Sequence, residues 1–399
     1  MDKAIFPSNV PFDRIVDFDV HRPAGIENGF HEAWLALHKS NPAPLLWTSC
    51  NGGHWIVNDS SLVAGFYADF EHFSSDLTQI PRERGVGNNA IPASLDPPEQ
   101  TPYRRLINAA LSPRVVREME RDITEKAVGL VSALQGQNGC EFVGEFALRL
   151  PLELFMDYAA LPHSDIPQLR HLAEQKMRPT GAITAGEAQE ALASYLDPFL
   201  RERRGGSGDD LLSRIVNGEI SGRPVTHDEA RRICAQFLVA GLDTVAAMLS
   251  FIFLYLARHP DLRRRLAEDD ALLIPAVEEF LRRFPLMTRV RRVTEDYECS
   301  GVTLLKDDAI VLPTALHGLD ERLFAEPEAV LLNRKPQVTS TFGHGPHQCP
   351  GATLARMELR IALREWLARI PDFRVSDESA IEFKPGFVAS MGNLPLAWN

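Results

Sequence analysis

Phe342-Gly343-His344-Gly345-Pro346-His347-Gln348-Cys349-Pro350-Gly351 is the most informative segment of this 399-residue chain. Its glycines and prolines predict a tight loop, and an amphipathic helical pattern begins directly after it, over residues 350–369. Cys349 is therefore predicted beside a helix N-terminus, where the helix dipole and free backbone N–H groups favour a thiolate. Such a thiolate is a nucleophile or a metal ligand, whereas a cysteine taken alone is more often an inert buried residue.

A second informative segment, residues 233–257, is almost entirely apolar and long enough to cross a bilayer. It carries Asp243 near its middle, which costs about 2.5–3.5 kcal/mol in a membrane span. A helix that is apolar on all sides is also what the centre of a large soluble protein requires. The segment therefore predicts a buried central helix, in which the Asp243 carboxylate needs a partner or a function.

Helical periodicity dominates the rest of the chain, and strand-like pieces are few. Helices are predicted at 113–135, 186–203, 226–239 and 260–283. Strands are predicted at 45–48, 54–57, 301–312 and 372–397. The Gly-rich loop at 204–210 is too short for a domain linker. The pattern predicts one mainly α domain over residues 1–399 with a small β region.

Composition excludes several classes of protein. Apolar residues make up 45% and charged residues 24%, which is ordinary for a globular protein and excludes disordered, collagen-like and disulfide-scaffold chains. The net charge of −12 disfavours nucleic-acid binding. The five cysteines are dispersed without a CxxC pair, which excludes zinc-ribbon and thioredoxin-like readings and favours a reducing compartment. With no signal-like segment at the start, we expect a cytoplasmic protein that is not in a membrane.

Four short motifs stand in a fixed order along the chain. They are Asp96-Pro97-Pro98-Glu99-Gln100 followed by Arg104, Ala240-Gly241-Leu242-Asp243-Thr244, Glu279-Phe280-Leu281-Arg282, and the loop from Phe342 to Gly351. Each alone would recur by chance, but together they resemble the cytochrome P450 family. Further segments resemble its bacterial camphor-hydroxylase group. The resemblance implies the mainly α P450 fold, with haem b between the central helix and the loop.

The resemblance also implies roles for the central residues. Cys349 is expected to be the thiolate ligand of the haem iron, which favours O–O cleavage. Asp243 and Thr244 are expected to be catalytic and to deliver protons for oxygen activation, with Gly241 letting the helix distort locally. The alternatives are structural: a Thr244 hydroxyl bonded back to its own helix, and an Asp243 ion pair with Arg178.

Cofactor contacts and a bracing network follow from the same resemblance. Haem-propionate contacts are expected from Gln100, Arg104, Arg291 and His347. Arg289 stands where the camphor enzyme has an acid, so the local hydrogen bonding is expected to differ. Glu279, Arg282 and Arg334 are expected to form a buried structural network around the loop.

Substrate contacts are expected from a loop segment, from a polar residue of the central helix and from an apolar wall. They are Gln79, Asn88, Ala90, Gln236, Val239, Ala240, Met287, Phe387 and Val388. Fewer aromatic rings than in camphor hydroxylase predict a larger pocket and a terpenoid or norisoprenoid ketone, such as an ionone. Asn88 either contacts this substrate or lies in a loop outside the pocket.

Electrons must come from another protein, because the chain has no dinucleotide fingerprint, flavin domain or iron–sulfur cysteine set. The resemblance implies a two-iron ferredoxin fed by an NAD(P)H-dependent flavin reductase. A docking patch is expected from Arg104, Arg105, Arg114 and Arg356, on a monomeric protein.

Two alternative functions remain open: a peroxygenase that uses hydrogen peroxide, and a haem-thiolate sensor or ligand carrier without turnover. The Asp243–Thr244 pair disfavours both.

Overall fold

The computed structural model describes residues 6–88, 90–178, 183–335, 337–384 and 386–398. Its architecture is mainly helical, as the sequence predicts. The α-helices of this part of the chain are α1 Phe30–Ser40, α2 Ser60–Ala68, α3 Gln100–Ala110, α4 Pro113–Glu118, α5 Glu120–Gln135, α6 Arg149–Tyr158, α7 Ile166–Met177, α8 Ala185–Arg203, α9 Leu211–Val216, α10 His227–Arg258, α11 Pro260–Glu268, α12 Leu273–Arg283, α13 Thr314–Gly318 and α14 Ala352–Arg369.

Short strands form a minor part of the described structure. They are β1 Leu45–Thr48, β2 His54–Val57, β3 Phe73–Ser74, β4 Gly139–Glu141, β5 Glu219–Ile220, β6 Arg223–Pro224, β7 Thr288–Val293, β8 Tyr297–Cys299, β9 Val302–Leu304, β10 Ala309–Pro313, β11 Arg374–Val375, β12 Glu382–Lys384, β13 Ser390–Asn393 and β14 Pro395–Ala397. The largest sheet has the order β1-β2-β10-β7-β3 and has its own apolar cluster. A three-stranded sheet has the order β11-β14-β4.

Helix α10 is the centre of the molecule. Thr226 caps it, since its side chain accepts a hydrogen bond from the Glu229 amide and Glu229 accepts one from the Thr226 amide. It packs against α6, α7, α8, α9 and α14. Among the described residues it is the one helix long and apolar enough to cross a membrane, and 72% of its most apolar window is buried inside the protein. Its apolar composition is therefore explained by core packing.

Several predicted elements are divided in the structure. The helix predicted at 113–135 is split into α4 and α5, and that at 260–283 into α11 and α12. The second break is at Asp269, which is extended (φ −142°, ψ 101°) and accepts a hydrogen bond from the Ala271 amide. The strand predicted at 301–312 is divided into β9 and β10 by a turn, with Asp307 in the left-handed region (φ 68°).

Candidate active site

The loop before α14 is fixed by glycines that other residues could not replace easily. Gly343 (φ 70°) and Gly345 (φ 64°) both lie in the left-handed region. A Cβ on Gly345 would stand 2.8 Å from the Cα of Ala68, so α2 presses directly on the loop. The Cys349 amide donates to the Phe342 carbonyl at 2.8 Å, which closes the loop ahead of the helix. The sequence thus places the Cys349 thiol at the start of α14 for local reasons.

The Cys349 thiol lies in a positive environment. Burial raises its pKa, whereas the Gly351 amide and the positive charges of Arg104 and Arg289 act to lower it. The thiol is nevertheless accessible to a water-sized molecule. An accessible side chain that is also enclosed by protein lines an internal space. Metal coordination would add the missing stabilisation of the thiolate.

Cations and hydrogen-bond donors surround this loop. Gln100 donates to the Pro346 carbonyl at 2.7 Å, and Arg104 donates to the Gln348 carbonyl. The Nε2 atom of His347 is buried without a hydrogen-bond partner, and the nearest acid, Asp96, is 3.7 Å away. The ring nitrogen therefore has only a long contact with Asp96 and no hydrogen bond.

Arg291 is the cation in this group that is buried without an acidic partner among the described residues. It is 6% exposed, it donates a hydrogen bond to the Val290 carbonyl at 2.9 Å, and its guanidinium lies 5.4 Å from the centre of the Tyr67 ring. Burial lowers the pKa of this guanidinium to about 10. In the described part of the chain no carboxylate pairs with Arg291 or with its neighbour Arg289. A buried arginine without an acid needs an anion from elsewhere.

These observations fit haem. Its propionates would supply the anion that Arg291 lacks and a hydrogen-bond acceptor for the His347 Nε2 atom, and its iron would be ligated by the Cys349 thiolate. Arg289, which stands where the resemblance to camphor hydroxylase implies an acid, adds a second cation two residues before Arg291 on β7. The residues present are therefore suited to hold the group.

One face of α10 also carries accessible side chains within the protein, as the loop does at Cys349. Gln236, Ala240 and Thr244 are spaced by four, so they lie on one side of the helix. Ala240 is exposed although Val239 and Leu242 beside it are buried. The Thr244 hydroxyl donates to the Ala240 carbonyl at 3.0 Å, which is the back-bonded arrangement that was one alternative. A hydroxyl held this way lies at the edge of the internal space.

Helix α10 continues without a break through Gly241, so the predicted local distortion is not present in this structure. Close packing explains the glycine instead. A Cβ at Gly241 would stand 3.0 Å from the Cδ2 atom of Phe155, tighter than most real contacts. The glycine lets α6 and α10 approach each other.

Asp243 is held by Arg178, the alternative partner considered from the sequence. The Nη1 atom of Arg178 lies 2.9 Å from the Asp243 carboxylate, and its Nη2 atom donates to the Val388 carbonyl at 2.7 Å and the Ser390 hydroxyl at 2.8 Å. A small cleft of about 30 Å³ borders both charged residues. This volume admits one or two water molecules, so the carboxylate lies between solvent and the core helix.

The three bracing residues are brought together by α12. Arg282 binds Glu279 at 2.8 Å and also donates to the carbonyls of Gly318 and Ala329. Arg334 contacts Glu279 at 3.0 Å. Burial opposes ionisation of Glu279, but hydrogen bonds from Arg282 and from the Leu331 amide lower its pKa overall. The network ties α12 to the segment that precedes the loop.

The predicted pocket residues fall into two groups. The first group is apolar: Val239, Phe387 and Val388 are buried, and the backbone of Met287 forms an isolated antiparallel β-bridge with that of Val388. Gln79 and Ala90 are buried, and the Gln79 Oε1 and Asn88 Oδ1 atoms are buried without a hydrogen-bond partner. Asn88 itself donates to the Thr78 hydroxyl at 3.1 Å. These two orphaned oxygens favour an inward position of the 79–88 segment.

Sequence reasoning missed one functional candidate, Lys176 on α7. It is 4% exposed, and its ammonium donates to Gln236 at 2.9 Å and also to Gln189. The available signal was its position two residues before Arg178. A lysine in a helix with other charges usually faces solvent, so only the tertiary structure reveals its burial.

Comparisons with known proteins agree with this geometry. A family model described as Cytochrome P450 matches residues 184–389. Probable cytochrome P450 127A1 from Sinorhizobium fredii is 31% identical over 98% of this chain and 96% of its own. The 20-oxo-5-O-mycaminosyltylactone 23-monooxygenase of Streptomyces fradiae is 32% identical over 92% of this chain and 89% of its own.

Solved structures agree as well. CYP101J2 superimposes with a TM-score of 0.92 at 42% identity, and CYP101C1 with 0.92 at 38%. In both cases 99% of this chain and 100% of the other are covered. The predicted P450 fold and its haem-thiolate cofactor are thereby confirmed. The chain belongs to the cytochrome P450 family, as a bacterial monooxygenase similar to CYP101J2 and CYP101C1.

Proposed function

We propose that this protein hydroxylates a small, mainly apolar terpenoid or norisoprenoid, ionone-like in size, with electrons from a two-iron ferredoxin. The observation that carries the proposal is the pairing of two features. The accessible Cys349 thiol lies among unpaired cations, and an accessible stripe on α10 ends at Thr244 beside the Arg178–Asp243 pair. Bound haem would supply O₂ binding and O–O cleavage, favoured by thiolate ligation.

The protein residues have separate tasks in this proposal. Cys349 would ligate the iron, while Gln100, Arg104, Arg291 and His347 would hold the propionates. The hydroxyl of Thr244 must exchange its bond to the Ala240 carbonyl for one to water before it can take part in proton delivery. Asp243 must leave Arg178, or exchange protons through water in the adjacent cleft, to pass a proton inward.

Apolar side chains around this face exclude bulk water from the reaction. Val239, Met287, Phe387 and Val388 supply the wall, and they discriminate between similar skeletons by only about 1–3 kcal/mol. The orphaned oxygens of Gln79 and Asn88 offer acceptors for a substrate hydroxyl or for water. The pocket is thus expected to accept several related skeletons.

The redox partner would dock where positive charge remains available. Arg105 is exposed, and Arg114 is exposed with a long 3.9 Å contact to Glu118. Arg356 is engaged by Glu278 at 2.6 Å, and Arg104 by the loop itself. The docking charge is therefore expected to come mainly from Arg105 and Arg114. A ferredoxin fed by an NAD(P)H-dependent flavin reductase would supply the electrons.

All five cysteines are free thiols, which supports a cytoplasmic location.

The deciding experiment combines a spectrum with isotope labelling. The dithionite-reduced protein under carbon monoxide should show a strongly red-shifted Soret band. Reconstituted with a two-iron ferredoxin, its reductase and β-ionone, it should incorporate one atom from ¹⁸O₂ into product. Cys349→His should lose the shifted band, while the control Cys299→Ser should keep it. A wild-type band typical of histidine-ligated haem would overturn the assignment, and an unlabelled product would overturn O₂-dependent hydroxylation.

A further inference from the structure

A buried cation stands next to the accessible face of α10. Lys176 is 4% exposed, and among the described residues its ammonium donates hydrogen bonds to two amide oxygens, those of Gln236 and Gln189. No carboxylate in the described part of the chain forms an ion pair with it. Buried lysines are rarely left without an acid, because amides replace only part of the lost hydration.

The helix geometry places this cation relative to the reaction centre. Gln236 is four residues before Ala240 and eight before Thr244, on the same face. At 1.5 Å per residue, Gln236 and Thr244 are about 12 Å apart along the axis. Gln236 is itself partly accessible, as are Ala240 and Thr244. The ammonium therefore sits at one end of the space and the oxygen-activating threonine at the other.

The charge at this end is not balanced by the protein. Burial, with a smaller contribution from the positive charge of Arg289, lowers the pKa of Lys176 to about 7. The carboxylate of Asp243, also on α10, is already engaged by Arg178 at 2.9 Å. An anion brought in by a ligand would relieve both the burial cost and the repulsion.

We propose that the substrate carries a carboxylate that binds the Lys176 ammonium and the Gln236 amide. Its apolar skeleton would extend along α10 to Thr244, so that the oxidised carbon lies about two helical turns, roughly 10 Å, from the carboxylate. Terpenoid or fatty acids of ten to twelve carbons have this length. The inference rests on the proposed hydroxylase function and refines its substrate class from a neutral ketone to an acid.

The test compares acids with their esters on the haem-loaded protein. Geranic acid, dodecanoic acid, their methyl esters and β-ionone are titrated by calorimetry and by the ferric optical spectrum. We expect at least one acid to bind at least tenfold more tightly than its ester. Lys176→Met should abolish this preference without weakening ester binding, and Lys176→Arg should retain most of it.

Two controls keep the outcome clear. Lys39→Met removes an exposed lysine that pairs with Glu328, and it should leave the preference unchanged. If Lys176→Met loads no haem, Gln236→Leu replaces it and should reduce the preference severalfold. Esters or ionone binding as tightly as the acids, or no acid binding, overturns the inference. The carbon monoxide spectrum of the same sample shows independently whether the hydroxylase assignment stands.

Discussion

Arg178 holds the Asp243 carboxylate at 2.9 Å and, with its other nitrogen, the carbonyl of Val388. One guanidinium thus couples the central helix to the segment that leads into β13. The carboxylate is thereby held in place until water or substrate changes the contact. The structure shows the architectural part of this contact, and the first variant below tests whether Asp243 also acts in the reaction.

Asp243→Asn should slow product formation by on the order of 100-fold, because general acid–base groups contribute about 10²–10⁴ in rate. Substrate affinity should change less than twofold, since the carboxylate faces Arg178 and not the wall. Steady-state turnover and optical titration measure the two quantities. A loss of affinity equal to the loss of rate would show that the pair is only structural.

Thr244→Ala should continue to consume NAD(P)H but release most of the reducing equivalents as hydrogen peroxide. The hydroxyl is the donor that would control proton delivery at this point of α10. Product, peroxide and NAD(P)H are measured together to give the coupling fraction. Ser250 makes the same back-bond, to the Ala246 carbonyl at 2.8 Å, on the buried side. Ser250→Ala should therefore leave coupling unchanged, and equal uncoupling in both variants would contradict the role of Thr244.

Arg291→Met should weaken haem retention, because a charge-assisted hydrogen bond to a propionate is worth about 1.5–3 kcal/mol. The rate of haem transfer to an acceptor apoprotein should rise by on the order of 10- to 100-fold. Arg292 is the matched control on the same strand, where it pairs with Asp76 at 2.6 Å. Arg292→Met should transfer haem at the wild-type rate. Identical rates in all three proteins would remove Arg291 from the cofactor site.

Glu279→Gln should destabilise the fold by about 3–5 kcal/mol, since it leaves the buried Arg282 charge without its partner. Its neighbour Glu278 is half-exposed and pairs with Arg356 at 2.6 Å. Glu278→Gln should cost no more than about 1 kcal/mol. Urea unfolding gives both free energies. A cost for Glu279→Gln as small as that of Glu278→Gln would mean that the network does not brace the loop.

His31 should make stability depend on pH. It is buried among Phe30, Phe251 and Phe284, and burial, with the charge of Arg283, lowers its pKa to about 4. The unfolded chain binds a proton near pH 6.5 and the folded chain does not. The stabilising effect of His31 is therefore complete above pH 6.5 and is lost as the pH falls toward 4, by up to about 3 kcal/mol. Urea unfolding at several pH values gives the free energy of unfolding as a function of pH. This free energy should change less with pH over this range for His31→Gln than for the wild type, and an equal change in both would contradict the low pKa.

Local signals explain which parts of the fold were predicted from the sequence. The loop at Cys349 and the helix after it are specified by neighbouring glycines and periodicity, and β1 and β2 have the predicted bounds of 45–48 and 54–57. Strand β7 was missed, because Arg289, Arg291 and Arg292 hide its alternation. The burial of Arg291 depends on distant partners that no short window contains.

In the candidate site, too, residues that are close in sequence were predicted, whereas residues that meet only through the fold were missed. Motif residues such as Glu279 and Arg282 were predicted together, and the structure brings them together with Arg334. The Lys176–Gln236–Gln189 cluster joins three helices, so no spacing along the chain indicates it. The reason for a glycine at position 241 was also unpredictable, because it is the ring of Phe155 on another helix.

Strand β14 lies between β4 and β11, so the last described residues form the middle of a sheet. Trp398 is 6% exposed, and its ring lies 5.8 Å from that of Trp366 on α14. Truncations or fusions within these last described residues are therefore expected to destabilise the fold. Removing residues 394–398 would take away a central strand and expose α14, whereas a reductase fused to make a self-sufficient enzyme would need a linker that starts beyond Trp398.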